Sequence, residues 1–427
     1  MTRYQKISLL SLLFIFVFAV HLWFFLAIQL PQRSQQEDVY PGSQLFHLRL
    51  FGDEAHFAFI AYHLNTQGLY SIDGKSPTAL RLPLFPLVLA LIYRFTDHNA
   101  CYGIVFNCLV TAGIALATYF LAALFWDPGT ALAAMAVAGL SPNTFDSFIH
   151  HGCTALFTLG LICSLIFFIQ LNRRPSLGRA CLCGLATGAA ALTRAEGVLL
   201  VLLYGAYLIW RHFFKGQHLL KPAAAVLVVS LTLLAPWVVR NGLSLHYWGL
   251  STMSGEVFAG AHNRRILDRH PGSWGRFSSF APPEEMQAVA HLNEVQLSRY
   301  LWQRGLKTMR EYSLPYLFLV EGKKLFNTFK PSFRLLPKGY HEFLNLLLVA
   351  PFFVLYLLFF VFLGRTLKEG AGILLLPFAL PLVVTLLFWG TTRWRIPLEP
   401  IMFSVSLAGL INLWQERPRS AWARKPV

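Results

Sequence analysis

"PLFPLVLALIYRF", residues 83–95, decides how this chain is threaded through a membrane. The 427-residue chain is 56% hydrophobic and 13% charged, with a mean hydropathy of +0.52. A soluble protein carries about a quarter charged residues. Long apolar runs with little charge read instead as membrane-spanning helices. Segment 83–95 is as apolar as any of them, but it falls short of the roughly 20 residues a span needs. It also opens with Pro83 and Pro86, which resist a continuous helix.

Positive charge decides between a crossing and an interfacial position. If 83–95 lies along the interface, Arg173, Arg174 and Arg179 fall on the same side as Arg3 and Lys6. So do Arg211, Lys215 and Lys221, then Arg365 and Lys368, then the tail from Arg417 to Lys425. Every short basic loop is then cytoplasmic, as the positive-inside rule requires, whereas a crossing would put them all outside. The expected spans are about 7–30, 100–125, 130–148, 153–171, 178–193, 197–213, 219–239, 341–363, 371–390 and 396–414. The run Ile7–Leu30 is about twice a signal-peptide core and has no small-x-small site after it, so it reads as a retained first span.

The fold class is therefore an all-α polytopic membrane protein of about ten transmembrane helices with both ends inside. Residues 1–240 form an N-terminal transmembrane bundle that includes a first outer loop, 31–99, folded into interfacial helices. Residues 241–340 form an outer-face helical segment, with Pro282–Pro283 as a helix start signal. Residues 341–427 form the C-terminal transmembrane helices and a basic cytoplasmic tail. The net charge of +16 fits basic loops and contact with anionic lipid or phosphate, with no nucleic acid implied. The six cysteines form no paired CxxC motifs and read as small packing residues.

Almost no charge sits at the middle of any expected span, where transporters place their binding groups. The polar residues gather at the expected outer interface: Asp53 and Glu54, Arg81, Asp146 with His150 and His151, Arg194 and Glu196, Arg240 and Asn241, His262 to Arg265, and Arg393 with Arg395. Each has a plainer reading. Asp53 can cap the helix that follows Gly52, and Glu54 can be a first-turn acid favoured by the helix dipole. Arg194 and Glu196 can form an interfacial ion pair, and Arg240, Arg393 and Arg395 can be arginine anchors in aromatic belts. His150 and His151 can be loop residues, since a histidine pair without spaced partners is a poor ligand set.

In chain order the motifs are "GDEAHF" (52–57), "GLYSIDGKSPTALRLPLFPLVLALIYRF" (68–95), "ALTRAEGVLL" (191–200), "APWVVRNGLSLHYWGLSTMSGEVFAGAHN" (235–263) and "RWRIPLEP" (393–400). With them the chain resembles the GT-C glycosyltransferases that use polyprenyl-phosphate sugars. The likeness is to the branch related to protein O-mannosyltransferases and aminoarabinose transferases. The resemblance implies a helical bundle with the first outer loop folded over the site and Asp53 in the family's Asp-Glu position, beside Glu54. Many relatives have a further acid near the start of the fourth span, where this chain reads "HHGCTALF". Asp146, His150 and His151 are the nearby candidates for a divalent ion, Mg or Mn.

The reaction so implied moves a sugar from a polyprenyl-phosphate carrier to a glycan, lipid or protein acceptor on the outer face, with inversion by family analogy. A phosphate monoester leaves readily, so the protein must supply a base and positive charge. Asp53 suits the base. Arg240, Arg393, Arg395 and then Arg194 suit the donor phosphate, because a guanidinium fork binds phosphate in two places. Arg81, Glu196, His262 and Asn263 are substrate-binding candidates, with Lys323 or Lys324 as further cations. The expected location is a bacterial cytoplasmic membrane, multi-pass, with the site facing outward. The rival readings are a lipid-linked sugar flippase or transporter, and a polymerase or ligase of lipid-linked glycans.

Overall fold

A computed structural model describes residues 3–33, 40–148, 152–263, 277–333, 342–368 and 370–416. Among them every regular element is helical. The chain opens with the apolar rod Tyr4–Arg33. It begins as α1 (Arg3–Phe24), passes through a π-helical turn (Phe25–Gln29) and ends as α2 (Leu30–Arg33). The loop that follows carries α3 (Asp53–Gln67) and α4 (Leu84–Tyr93).

The segment 83–95 forms a helix of only 10 residues, about 15 Å long and half of what a bilayer core requires. Phe85, Pro86, Leu89, Ala90 and Tyr93 are buried, and Phe85 meets Phe57 of α3 edge-on at 5.2 Å. Leu87, Leu91 and Phe95, four residues apart, stay exposed. Asn65 donates to the Ala90 carbonyl at 2.7 Å and fixes the two helices side by side. Phe25, Phe46, Leu50, Phe57, Phe85, Leu89 and Ile104 form one buried cluster beneath them. Each such side chain contributes about 1.5–3 kcal/mol, and together they set the position of the N-terminus of α3.

Next come α5 (Cys101–Ala122), α6 (Pro128–Gly139), α7 (Pro142–Ser147), α8 (Thr154–Arg173), α9 (Leu177–Thr193), α10 (Gly197–Lys215) and α11 (Leu220–Leu245). α9 packs between α8 and α11. A second large segment holds α12 (Met253–Ala261), α13 (Phe277–Phe280), α14 (Pro283–Val289), α15 (Glu294–Arg310) and α16 (Leu314–Phe329). Pro283 is the first residue of α14, and Asn293 with Gln296 forms a reciprocal capping box on α15. The chain then runs through α17 (Glu342–Lys368), a 3₁₀ stretch Gly372–Phe378, α18 (Ala379–Leu387), two 3₁₀ turns and α19 (Glu399–Glu416).

Among the described residues, seven segments are long and apolar enough to cross a membrane: Tyr4–Arg33, Cys101–Ala122, Thr154–Arg173, Gly197–Lys215, Leu220–Leu245, Glu342–Lys368 and Thr392–Gln415. The other three expected spans are shorter, for local reasons. In 130–148 the chain breaks at Ser141, held extended at ψ 134° by Pro142, so two helices replace one. In 178–193 the helix stops after 17 residues because Arg194 turns extended. In 371–390 the first half winds as 3₁₀ around Pro377 before α18 begins.

Candidate active site

α3 begins immediately after Gly52, whose φ of 50° and ψ of −117° suit glycine alone. Gly52 is therefore the cap residue, and Asp53 is the first helical residue. The carboxylate points away from its own helix toward two arginines. Arg81 Nη2 donates to Asp53 Oδ1 at 2.5 Å, and Arg393 Nη1 lies 3.9 Å from Asp53 Oδ2. The Asp53 side chain is 37% exposed and that of Arg393 59% exposed, whereas that of Arg81 is 12% exposed. The acid thus opens to solvent beside an exposed cation.

Arg81 has further contacts. The same Nη2 lies 3.0 Å from His56 Nδ1. A guanidinium has no acceptor, so Nδ1 must accept and the imidazole proton sits on Nε2. Arg81 also lies over the Phe57 ring at 5.4 Å, and its buried Nε has no hydrogen-bond partner. His56 was not anticipated from the sequence; its spacing of one helical turn from Asp53 was the available signal.

Glu54 has a different role from the catalytic one expected of it. Arg33 donates to both its oxygens, at 2.7 and 2.8 Å, and both side chains are buried. Arg33 also donates to the Arg49 carbonyl at 3.2 Å. Glu54 therefore ties the end of the first rod to the start of α3, with both carboxylate oxygens turned inward toward Arg33.

Arg240 is likewise committed. It projects from α11 and donates to the carbonyls of Thr78 at 2.6 Å and Tyr70 at 3.1 Å. Its guanidinium lies against both the Tyr70 and Trp237 rings, which also touch each other edge-on. From the other side Glu294 of α15 accepts from Thr78 Oγ1 at 2.6 Å and the Ala79 amide at 2.9 Å, and from the Thr252 hydroxyl. These two clamps hold the loop that presents Arg81. Glu294 carries no sequence signal for this role beyond being a first-turn acid.

Arg194 pairs with Glu196, donates to Thr154 Oγ1 at 3.3 Å and lies over the rings of Phe157 and Trp394. Trp394 follows Arg393, so this pair borders the Asp53 site. Glu196 also lines a small apolar niche of about 10 Å³ with Phe157, Leu161, Leu380, Val384, Trp394 and Leu398.

Three expected residues lie elsewhere. Arg395 is fully buried against Glu399 at 3.1 Å and stacks on Phe333 and Tyr356, so it is no surface phosphate ligand. Glu399 accepts from Asn143 at 2.8 Å. His262 is buried beside Phe258, 3.9 Å from Glu321, and Asn263 donates to the Gly260 carbonyl at 2.7 Å. Burial, with Lys324 nearby, pulls His262 down to about 4. Lys324 is buried in a pair with Glu321 at 2.7 Å, and Lys323 is exposed. His150, His151, Arg264 and Arg265 lie outside the described residues, as does the side chain of Asp146. Among the described residues no three His, Cys, Asp or Glu gather as a metal-ligand group.

Residues 76–239 match the profile of the dolichyl-phosphate-mannose-protein mannosyltransferase family. No curated protein sequence matches the chain. The apo oligosaccharyltransferase of Archaeoglobus fulgidus superposes with a TM-score of 0.54 at 13% identity, over 100% of this chain and 53% of that one. The same archaeal enzyme with an inhibitory peptide and a dolichol-phosphate superposes with a TM-score of 0.52 at 13% identity and the same coverage. The ArnT protein of Cupriavidus metallidurans bound to undecaprenyl phosphate gives 0.38 at 15% identity, over 95% of this chain and 78% of that one.

Among the described residues the chain is thus an all-α polytopic membrane protein with a fold like that of the archaeal oligosaccharyltransferase. Its stretch from 76 to 239 carries the mannosyltransferase family's pattern. It spans about half the length of the archaeal enzyme it superposes on.

Proposed function

We propose that this chain is an integral-membrane glycosyltransferase that moves a sugar from a polyprenyl phosphate to an acceptor hydroxyl on the outer face of a bacterial cytoplasmic membrane. One observation carries the reading: a half-open carboxylate, Asp53, stands between a buried arginine and an exposed one, near apolar side chains such as Trp394 and Leu398. A lipid-phosphate sugar needs those three things together.

Asp53 accepts the acceptor's proton through Oδ2 while Arg81 holds Oδ1 and sets its direction. Arg393 binds the departing phosphate, and the unpartnered Nε of Arg81 offers a second donor. The bond from the anomeric carbon to phosphate breaks as the bond to the acceptor oxygen forms. The phosphate leaves as a monoester anion with the electron pair, and the acceptor proton goes to Asp53. Every step runs through side chains of this chain. Asp146, His150 and His151 are the residues proposed to hold a Mg or Mn ion.

The test is release of polyprenyl phosphate from a labelled polyprenyl-phosphate sugar, with cell-envelope extract as acceptor. Wild type should release it, and Asp53→Asn should not. Full activity in Asp53→Asn would remove the base. Loss of activity in EDTA that Mg or Mn restores would support the ion, and indifference to EDTA would remove it. Passage of the donor across vesicles without release would support a flippase instead.

A further inference from the structure

We infer that α16 is a re-entrant membrane helix whose outward flank lies against lipid acyl chains, within the stretch 241–340 that the sequence reading gave as an outer-face helical segment. Three observations set its depth. Lys324 Nζ donates to the Leu386 carbonyl at 3.1 Å, and the Thr328 and Thr385 hydroxyls meet at 2.8 Å, so α16 runs antiparallel along α18. At Gly390 a Cβ would lie 1.9 Å from the Lys324 carbonyl oxygen, so glycine permits the two backbones to touch. Beyond the helix end, Tyr356 donates to the Phe329 carbonyl, and Phe333 packs on Tyr356 at 5.9 Å and Phe403 at 6.4 Å. Tyr356 sits at the centre of Glu342–Lys368 and Phe403 at the centre of Thr392–Gln415, both long enough to cross. The chain from Phe329 to Phe333 therefore reaches the mid-depth of two spans.

The polarity of α16 agrees. Its outward flank carries Leu314 (71% exposed), Phe318 (75%), Leu319 (54%) and Phe326 (68%). Its inward face carries Lys324, fully buried and paired with Glu321. A helix lying on a water-soluble segment shows the reverse order, with charge outward and aromatic residues inward. A helix in hydrocarbon turns its ionisable residues to the bundle and pairs them. The one exposed cation, Lys323, has a stem long enough to bring its ammonium to the headgroups.

The experiment uses the full chain with its six native cysteines replaced, reconstituted in nanodiscs so that both faces meet water. Single cysteines at Phe318, Phe326 and, as an aqueous control on α15, Gln303 are challenged with a charged maleimide. Phe326→Cys should react at least about tenfold more slowly than Gln303→Cys, because the reactive thiolate does not form in hydrocarbon. Equal rates would overturn the inference. Should the cysteine-free chain fail to fold, benzoylphenylalanine is placed at the same positions in the native chain. Cross-links to phospholipid at 326 and none at 303 support a lipid-facing flank, and the absence of lipid cross-links at 326 overturns it. Neither readout depends on transferase activity.

Discussion

Arg81 and Asp53 are 28 residues apart, yet their side chains meet at 2.5 Å because the loop 68–83 runs back to the start of α3, where α4 begins and then runs alongside it in parallel. The arginine is nearly buried and also bridges to His56, so it fixes the direction of the carboxylate. Arg81→Ala should leave the fold intact and lower kcat by about a hundredfold, the usual cost of a misplaced catalytic group. Arg81→Lys keeps the charge but loses the fork, and should recover only part of the loss. Steady-state kinetics of polyprenyl-phosphate release check this. Unchanged kcat in Arg81→Ala would separate the arginine from the reaction.

Arg393 and Arg240 should behave oppositely. Arg393 is exposed and lies beside the acid. Its loss should weaken binding of the donor phosphate by roughly tenfold to a hundredfold, the worth of one charge-assisted hydrogen bond. Arg240 is occupied by the carbonyls of Tyr70 and Thr78. Arg240→Ala should speed proteolysis within 70–82 and lower the melting temperature, with donor affinity little changed. Titration of polyprenyl phosphate onto the two variants, paired with limited proteolysis, distinguishes them.

That contrast also shows what the sequence could reveal. Arg240 and Arg393 look alike as residues, each at the end of an apolar run beside a tryptophan. Only the three-dimensional path of loop 70–82 tells a clamp from an open cation. The position of 83–95 was legible because length and two prolines are local properties, and α4 indeed lies along α3. The position of Asp53 at the start of a helix was legible from its place beside Gly52. The partner of Glu54 was not, since Arg33 belongs to the end of the first rod and no spacing rule links them. The breaks in 130–148 and 371–390 were written in Pro142 and Pro377, but hydropathy averaging hides a single proline inside an apolar run. Arg395 misled for a related reason: two residues from Arg393 on a tight 3₁₀ path, it turns inward rather than outward.

The Arg33–Glu54 pair should be one of the costliest single contacts to break. Both side chains are nearly water-free, with exposures of 8% and 12%. Removing one partner leaves an uncompensated buried charge, which costs about 3–5 kcal/mol. Glu54→Ala and Arg33→Ala should therefore each lower the melting temperature markedly in detergent. The double variant should be less damaged than the two losses added together. Simple additivity in thermal unfolding would show that the pair is not coupled.

His262 should make the stability of the 241–340 segment depend on pH. Burial first, and the Lys324 ammonium second, hold its titration near 4, below the ordinary 6.5. With the folded value depressed, the unfolded chain binds the proton more readily. The neutral imidazole's contribution is whole above about pH 6.5 and is lost as pH falls toward 4, amounting to on the order of 3 kcal/mol by pH 4. Glu321 lies 3.9 Å from His262 Nε2, but its near oxygen already accepts from Lys324, so it offers the imidazolium little relief. His262→Gln removes the titrating group. Melting curves taken from pH 7.5 to 4 should show the wild type losing stability faster than the variant below pH 6.5, with parallel behaviour above it. Parallel curves over the whole range would mean that His262 titrates as an ordinary exposed histidine does.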